Sequence, residues 1–361
     1  MQIVTFERKD NGAAGDSTGS DRIPPSMGNA AMGFESLEAL RPGARRLGAI
    51  IPGGPHEGAI VDLNRALAVR LAFDDVGAPE AESDSLLPPN MLTFLSRLPR
   101  SLEAARSALE FVVDSLGDYD APDVLRAGLV EPRRQVRLCS PVPRPGKIIG
   151  VACNYPAHAA ERGSATAPAD PVLFLKASSA VIGPEDEIRI PAASTRVDYE
   201  GELAVVIGRR SHRVSEERAL DCVAGYCVAN DVSARDFQNV RGQHFIGKSC
   251  DTFAPLGPAL VTADEISDPQ DLAIRTLVSG DERQSGSTKE MRFPIARLIA
   301  FASDLMTLEP GDVILSGAPA EVGAAGQPAR WLRDGDVVEV EIDRVGRLRN
   351  YVREGPADSG P

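Results

Sequence analysis

The sequence predicts an α+β protein in which a small α+β N-terminal domain precedes a larger domain with a predominantly β core. Three observations support this fold class. The chain has 361 residues, a length that suits two domains. From residue 147 onward, short apolar runs alternate with turn-forming residues, which is typical of strands. Before residue 138, longer periodic runs follow a predicted hairpin, and this spacing indicates helices.

The N-terminal domain is predicted to span residues 1–138. Residues from about 7 to 45 are rich in Gly, Asp, Ser, Asn and Pro and lack periodicity, so we expect a flexible insertion there. The regular elements are a strand at Met1–Phe6, a hairpin of residues 46–51 and 59–63, a helix over 64–73, and a longer helical segment over 92–116 broken near Pro99.

The C-terminal domain is predicted over residues 139–352, with 353–361 as a tail. We expect one helix at Ile295–Leu305 and a closing hairpin that ends near Leu348. The predicted strands are Lys147–Ala152, Val172–Leu175, Glu202–Ile207, Gly225–Ala229, Ala259–Thr262, Asp271–Val278, Asp312–Ser316 and Val337–Ile342.

Composition argues against several classes of partner. The net charge of −13 disfavours binding to nucleic acid or to an anionic membrane. The first residues lack the extended apolar core of a signal peptide, and no stretch is long and apolar enough to span a bilayer. Five cysteines, an odd number scattered through apolar segments, fit a reducing compartment. We therefore expect a cytoplasmic protein.

Three carboxylates near predicted strand ends indicate a metal site. Glu200 and Glu202 stand at the start of an apolar strand, and their spacing of two places them on one face. Two adjacent carboxylates resist desolvation, and a divalent cation is the simplest compensation. Asp231 follows a second apolar run and can supply a third oxygen ligand from a neighbouring strand end. The alternative is a solvated strand end with exposed carboxylates.

A second cluster suits acid–base chemistry. Asn154 can cap a helix and Pro156 suits its first turn, so His158 and Glu161 lie three residues apart on one helical face. A carboxylate beside an imidazole fixes its tautomer and makes it a better base. The pattern alone also fits a histidine on the surface of an Ala-rich helix. Lys248, in a loop-forming segment with few charges, is a further candidate.

The segment from about residue 147 to 350 closely resembles the fumarylacetoacetate hydrolase family, whereas residues 1–138 resemble its N-terminal region only loosely. Seven motifs carry the resemblance, in matching order and spacing. They are Asn154-Tyr155 with His158 and Glu161, Phe174-Leu175-Lys176, Asp198-Tyr199-Glu200-Gly201-Glu202-Leu203, Asn230-Asp231-Val232-Ser233-Ala234-Arg235-Asp236, Gly247-Lys248-Ser249, Asp251-Thr252-Phe253 and Leu308-Glu309-Pro310-Gly311-Asp312.

The resemblance implies the fold in more detail and a resident metal. It implies a mixed β-sandwich roll that is usually dimeric, so we expect a homodimer. It also implies that Glu200, Glu202 and Asp231 hold Mg²⁺ or Mn²⁺.

The resemblance further implies which residues act on the substrate. His158 and Glu161 match a dyad on a helix that orders over the substrate and activates water. Lys248 matches the family's active-site lysine, and Arg235 and Gln238 match positions that help to hold the substrate. His244 is expected near the site because it lies four residues before Lys248, but the sequence assigns it no role.

One motif departs from the family pattern. Where the family typically has Thr-Gly-Thr-Pro, this chain has Ser316-Gly317-Ala318-Pro319. The hydroxyl that would contact the substrate carboxylate is therefore missing at Ala318. The sequence does not show which group would bind that carboxylate instead.

On these grounds we predict a hydrolase that cleaves the C–C bond of a 2,4-dioxo acid, such as an acylpyruvate, through a metal-stabilised enolate. Its partner would be this small-molecule acid. The same chemistry can serve decarboxylation of a 2-oxo diacid, or isomerisation or hydration of a 2-hydroxymuconate-type acid, and the sequence does not separate these reactions. A non-catalytic ligand-binding scaffold is an alternative of another class.

Overall fold

The structure is a computed structural model that describes residues 1–9, 44–118, 128–161, 168–238, 243–326 and 328–355. The chain forms two compact units, Met1–Cys139 and Ser140–Pro361. The predicted insertion at about 7–45 lies mostly outside the described residues, as does most of the predicted tail at 353–361.

The described part of the first unit is a small antiparallel sheet with helices. Its elements are β1 (Gln2–Arg8), β2 (Arg46–Ile50), β3 (Ile60–Asp62), α1 (Leu63–Phe73), α2 (Pro79–Leu86), α3 (Met91–Ser96), α4 (Arg100–Asp118), β4 (Val130–Glu131) and β5 (Val136–Cys139). The strands pair in the order β4-β3-β2-β1-β5, and every pairing is antiparallel.

Local chemistry explains where the helices of the first unit begin and end. Asp62 caps α1, because its carboxylate accepts from the backbone N–H of Arg65 at 3.2 Å and also pairs with Arg46. The predicted break near Pro99 is confirmed, since α3 ends at Ser96 and α4 begins at Arg100. Helix α2 was not predicted, because its Glu, Ser and Asp residues give little apolar periodicity.

The second unit is dominated by strands. In chain order its elements are β6 (Ile148–Ala152), α5 (Pro156–Glu161), β7 (Val172–Lys176), β8 (Val181–Ile182), β9 (Glu187–Ile190), β10 (Val197–Asp198), β11 (Gly201–Ile207), α6 (Glu216–Ala219), β12 (Val223–Asn230), β13 (Ser233–Ala234), α7 (Arg235–Gln238), α8 (His244–Lys248), β14 (Ala254–Thr262), β15 (Ala273–Val278), β16 (Asp281–Ser287), α9 (Ile295–Leu305), β17 (Val313–Leu315), β18 (Val337–Ile342) and β19 (Gly346–Glu354).

These strands form mixed sheets. In the larger sheet the order is β14-β12-β11-β17-β6-β7, with β8 parallel to β14 and β17 parallel to β6. A second sheet has the order β16-β15-β18-β19-β9, in which β9 runs parallel to β19. Strands β10 and β13 form a short antiparallel pair beside the site described below. The predicted α+β class with a sheet-dominated, mixed β core is confirmed.

One hydrophobic core connects the two sheets of the second unit. It includes Leu203 and Val205 of β11, Ile274 of β15, Val340 of β18 and the apolar face of α9. All residues of β11 are buried, and from Leu203 to Ile207 its sequence is a continuous apolar run rather than an alternating one. Burying each large aliphatic side chain contributes about 1.5–3 kcal/mol, and this stabilisation fixes the ends of β11 and β12 that carry the site.

One predicted strand begins earlier in the structure, and one polar strand at a sheet edge was not predicted. Strand β14 begins at Ala254 rather than Ala259, because the Pro and Gly residues of its first half suggested a loop. Strand β16 was not predicted, since its residues are almost all polar and it lies at a sheet edge. Among the described residues, no helix is long and apolar enough to cross a membrane.

Candidate active site

The antiparallel pairing of β11 and β12 brings the three predicted carboxylates together. Gly201 lies opposite Asn230, so the start of one strand meets the end of the other. The backbone N–H of Asp231 donates to the carbonyl of Glu200 at 2.8 Å, which fastens this corner. One carboxylate oxygen from each of Glu200, Glu202 and Asp231 lies within 4.8 Å of the other two, and all three residues are buried.

Cationic side chains surround two of these carboxylates. Lys248 Nζ bridges Glu200 Oε2 and Asp231 Oδ2, and Lys176 Nζ binds the other oxygen of Asp231. Arg235 Nη2 donates to Glu200 Oε1 at 2.8 Å. Burial alone would raise the pKa of the Glu200 carboxyl. The positive charges of Arg235 and Lys248 instead hold this pKa well below its usual range.

Glu202 is in a different situation. Its Oε2 accepts from the backbone N–H of Gly317 at 2.7 Å, and among the described residues no ion pair joins it. Burial, together with the neighbouring charges of Asp231 and Glu200, raises the pKa of Glu202 well above its usual value. A third buried carboxylate of this kind fits a bound divalent cation, which would supply the missing charge and accept its oxygen as a ligand.

The proposed acid–base pair lies on α5, as the spacing predicted. His158 Nδ1 is 3.9 Å from Glu161 Oε2, longer than a hydrogen bond, and His158 Nε2 is 3.6 Å from Glu200 Oε1. Glu161 Oε1 instead accepts from the backbone N–H of Glu321 at 2.8 Å. Partial burial raises the pKa of Glu161. The two side chains are therefore neighbours on α5.

Asn154 does not serve as the predicted cap of α5. Its Nδ2 donates to the carbonyls of Phe293 and Ser316 at 3.1 and 2.8 Å, and its Oδ1 accepts from the N–H of Phe293 at 2.9 Å. The side chain therefore ties the segment before α5 to two distant loops. Pro156 opens the helix as predicted.

Arg235 and Gln238 lie beside the carboxylates but are occupied within the protein. Arg235 Nε donates to Asp198 Oδ2 at 2.9 Å, and Arg235 Nη1 donates to Gln238 Oε1 at 3.0 Å. The amide nitrogen Nε2 of Gln238 lies 2.6 Å from Nδ1 of His244. Neither Arg235 nor Gln238 is among the described residues that line the cavity in front of the carboxylates. Their predicted contact with substrate remains a prediction.

Two further buried residues of the site were not among its predicted functional residues. Asp198 is completely buried and accepts from the backbone N–H groups of Gly323 and Ala324, at 2.8 and 3.2 Å, as well as from Arg235. Lys176 is buried and also donates to the carbonyl of Val232 at 3.1 Å. Because these partners are far apart in the chain, no local pattern could reveal them.

A cavity opens in front of the carboxylate cluster. Polar, aromatic and small apolar side chains line it together, so a polar group placed there would meet the carboxylates of Glu200 and Glu202. The lining residues are Val151, Ala152, Cys153, His158, Phe174, Glu200, Glu202, His244, Lys248 and Ala318. Two candidate metal ligands, the candidate base His158 and the candidate cation Lys248 therefore line one cavity.

Comparison with known proteins gives a consistent family assignment. A family model described as the C-terminal domain of fumarylacetoacetate hydrolase matches residues 147–353. A mitochondrial oxaloacetate tautomerase of Xenopus laevis is 40% identical over 330 residues, covering 91% of each chain. A 2,4-didehydro-3-deoxy-L-rhamnonate hydrolase of a Sphingomonas strain is 44% identical, covering 68% of this chain and 86% of that protein.

A solved structure is also similar. The crystal structure of a 2-hydroxyhepta-2,4-diene-1,7-dioate isomerase from Mycobacterium marinum matches with a TM-score of 0.56 and 41% identity. The match covers 64% of this chain and 82% of that one. The similar proteins thus carry the names of a tautomerase, a hydrolase and an isomerase.

Proposed function

The chain belongs to the fumarylacetoacetate hydrolase family of enzymes, and we propose that it forms the enol of a 2-oxo acid in a divalent-metal-dependent reaction. Keto–enol tautomerisation of oxaloacetate is the leading candidate. The observation that carries the proposal is the buried cluster of Glu200, Glu202 and Asp231, together with a cavity that Glu200 and Glu202 line with His158 and Lys248. The tautomerase that aligns with 91% of this chain supports the choice of reaction.

The proposed metal is Mg²⁺ or Mn²⁺, held by Glu200, Glu202 and Asp231. Hard oxygen donors in a set of three suit these ions and leave positions open for substrate. Bound there, the ion would polarise the 2-oxo group and stabilise the negative charge that enolisation places on its oxygen. Among the described residues no cation pairs with the Glu202 carboxylate, and this feature favours a bound ion over an empty cluster.

Lys248 is assigned as a cation and not as a base. Burial alone would lower the pKa of the Lys248 ammonium group. The negative charges of Asp231 and Glu200 instead raise this pKa above its usual value. Its ammonium group is therefore protonated at neutral pH. In the proposed reaction it donates a hydrogen bond to the developing enolate oxygen, which stabilises the transition state more than the ketone.

His158 is assigned as the group that moves the proton. It lines the cavity, and its Nε2 lies 3.6 Å from the cluster at Glu200. A neutral imidazole would take a proton from C3 of the keto form and return it to the 2-oxo oxygen, which completes the enol and regenerates the imidazole. The reverse steps regenerate the ketone. Tautomerisation leaves every bond between carbon atoms intact and requires no activated water.

Hydrolysis of a 2,4-dioxo acid, predicted from the sequence, is the second candidate. The observation that favours it is the proximity of His158 and Glu161, 3.9 Å apart, on one face of α5. If Glu161 turned toward the imidazole, His158 could take a proton from water, and the water would attack the C4 carbonyl. The hydrolase among the similar proteins supports this candidate.

The deciding experiment compares two reactions with purified protein, in Mg²⁺ and in EDTA. Oxaloacetate tautomerisation is followed by loss of enol absorbance, and hydrolysis by release of pyruvate from acetylpyruvate. We expect metal-dependent tautomerisation well above the rate with metal alone. If pyruvate is released instead and the enol decays at the blank rate, hydrolysis replaces tautomerisation as the function.

The homodimer and the cytoplasmic location remain predictions. The relative from Xenopus laevis is a mitochondrial protein by name, which concerns that protein and not this chain. A small 2-oxo acid is the proposed partner, and we propose no nucleic-acid or membrane partner because the net charge is −13.

A further inference from the structure

Arg65, on α1 of the first unit, has a half-buried guanidinium group that no carboxylate neutralises within the described part of the chain. Its Nε is buried and makes no hydrogen bond there. The bond from Arg65 to Asp62, at 3.2 Å, comes from the backbone N–H and not from the side chain. A buried N–H without an acceptor is unfavourable, so this group needs an acceptor from elsewhere.

The two carboxylates nearby are already engaged. Both oxygens of the buried Asp62 accept from Arg46, and Glu131 pairs with Arg8. Burial lowers the pKa of the Arg65 guanidinium, and the positive charges of Arg8 and Arg46 lower it further. Because a guanidinium group stays protonated in proteins, three positive charges share two negative ones among the described residues of this cluster.

A second guanidinium group borders the same space as Arg65. Gly128 has no side chain, and a Cβ built on it would lie 3.4 Å from Arg8 Nη2 and 3.5 Å from Arg65 Nη1. The Nε of Arg8 is also buried and makes no hydrogen bond with the described residues. The side chain of Arg8 is 29% exposed, and Arg65 and Gly128 are half-buried, so solvent reaches this part of the unit.

An anion between these two side chains would compensate the excess charge. Two like charges that face one space repel each other, and the edge of a guanidinium group matches an oxyanion with two parallel N–H donors. A planar carboxylate offers two oxygens to one such edge. A phosphate group has oxygens that point in several directions, so it can accept from Arg8 and Arg65 at once.

We propose that Arg8 and Arg65 bind a phosphate group in the first unit, either free phosphate or the phosphate of a small organic molecule. The family match covers residues 147–353, whereas this site lies within Met1–Cys139. The site therefore goes beyond the proposed function and does not depend on it. The net charge of −13 gives an anion no long-range attraction, so its capture depends on these local donors.

The test is calorimetric titration of the full chain, freed of metal, with inorganic phosphate, glycerol phosphate and acetate. Arg65→Met removes the charge and keeps an unbranched side chain, whereas Arg65→Lys keeps the charge and removes the paired donors. Arg70→Met is the matched control, because Arg70 lies on the same helix and its Nε is 3.9 Å from Asp74 Oδ2.

We expect the wild type to bind phosphate more tightly than acetate. Arg65→Met should weaken phosphate binding by about tenfold or more, the effect of a lost hydrogen bond between charged groups. Arg65→Lys should fall between the two, and Arg70→Met should match the wild type. Tighter binding of glycerol phosphate than of inorganic phosphate would identify an organic phosphate as the ligand, and the reverse order would identify free phosphate.

Thermal melts separate a binding role from a structural one. Without phosphate, Arg65→Met should melt at or above the temperature of the wild type, because an uncompensated, half-buried charge is gone. Phosphate should raise the melting temperature of the wild type and leave that of Arg65→Met unchanged. A residue that only supports the fold would give a lower melting temperature in the variant and the same response to phosphate.

Three results would overturn the assignment: no phosphate binding by the wild type, unchanged phosphate affinity in Arg65→Met, or acetate bound as tightly as phosphate. If Arg65→Met does not fold, Arg65→Lys decides, and an unchanged phosphate affinity in that variant overturns the assignment as well. Since these titrations use metal-free protein and no 2-oxo acid, their outcome leaves the proposed tautomerisation to its own test.

Discussion

Charge balance at single residues decides what this site can bind. Glu200 and Asp231 have cationic partners in Arg235, Lys248 and Lys176, whereas Glu202 has the backbone N–H of Gly317. Burying a carboxylate without a counter-charge destabilises the folded protein, and a cation bound beside it reduces this destabilisation. The chemistry of Glu202 therefore gives the clearest evidence for a metal.

Replacing Glu202 by Gln should separate stability from metal binding. The metal-free variant should melt at a higher temperature than the wild type, because a buried charge is removed while the shape is kept. In the wild type, Mg²⁺ at about 100 times its dissociation constant should add about 2.7 kcal/mol to the free energy of unfolding, and in the variant this increment should vanish. Thermal melts with and without metal measure both effects.

The matched control is Glu341→Gln, on β18, whose carboxylate pairs with Arg275 away from the cluster. It should keep the metal-dependent increment. A Glu202→Gln variant that is still stabilised by Mg²⁺ as strongly as the wild type would remove Glu202 from the ligand set.

The pH dependence of metal binding follows from the raised pKa of Glu202. Below that raised pKa the folded, metal-free protein holds Glu202 neutral, and as pH rises through it the buried charge appears and the free energy of unfolding falls. A bound cation removes this penalty and needs the ionised form. The metal-induced rise in melting temperature should therefore grow with pH from the ordinary value of 4.5 upward.

Melts at several pH values, with and without Mg²⁺, check this expectation, and Glu202→Gln serves as the reference without the titrating group. A metal-induced rise that stays constant across the pH range, or that shrinks as pH increases, would contradict it.

His158→Ala should suppress turnover and leave metal binding intact. Loss of a positioned general base typically lowers the rate by about 10²–10⁴-fold. The exposed His212, replaced by Ala, is the matched control. Turnover is measured with oxaloacetate and metal affinity by calorimetry. An unchanged turnover number in His158→Ala would assign the proton transfer to another group.

Part of the site could be predicted from local sequence, and the rest could not. Glu200, Glu202 and Asp231 stand at strand ends, so period-two alternation and strand order were enough to group them. Asp198 has the same spacing, but its contact with Arg235 spans 37 residues and its contact with Gly323 spans 125. Distant segments bury Asp198 completely, and its local sequence does not show this.

At the scale of elements, the site depends on how strands and short helices meet. Strands β11 and β12 deliver the carboxylates, α5 delivers His158, and α8 delivers both His244 and Lys248. Long apolar runs such as β11 were predictable because they are buried on both faces. Strand β16 and the first half of β14 were not, since polar or Pro-rich strands form only when a neighbouring strand pairs with them.

Asp198 connects three elements, so its replacement should weaken the contacts among all three. It connects the end of β10 with α7 through Arg235 and with the turn at Gly323–Ala325 through two backbone N–H groups. Asp198→Asn keeps the size but removes the charge that accepts these bonds. The free energy of unfolding should fall by about 1.5–3 kcal/mol, the cost of hydrogen bonds to a charged group.

Denaturant titration measures that loss, with Asp334→Asn, an exposed aspartate on a surface turn, as control. Stability equal to the control would show that Asp198 is not an anchor.

At the scale of the whole molecule, the second unit carries both the candidate site and the family match. The match at 147–353 falls within Ser140–Pro361, so the assignment of chemistry does not depend on the first unit. The charge of −13 gives no long-range attraction for an anionic acid. Capture of a dicarboxylate therefore has to be local, through a metal and the donors of the cavity.

The protein should be a homodimer in solution. Four apolar side chains on the contacting elements β7 and α8 are exposed, Val172 at 43%, Leu175 at 45%, Phe245 at 52% and Ile246 at 48%, and exposed apolar groups of this size mark interfaces. Light scattering after gel filtration should give twice the chain mass of 38.3 kDa. Phe245→Ser with Ile246→Ser should shift the mass toward one chain, and a wild-type mass of one chain would contradict the prediction.

The measurement that tests the central claim most directly is exchange of the C3 hydrogens of oxaloacetate in D₂O, followed by proton NMR. Both candidate reactions pass through an enol at C3, so exchange reports enolisation without regard to the final product. With Mg²⁺, the wild type should exchange these hydrogens far faster than Mg²⁺ alone, and Glu202→Gln should remain at the rate of Mg²⁺ alone. Exchange by the wild type at that blank rate would contradict enolisation as the function of this site.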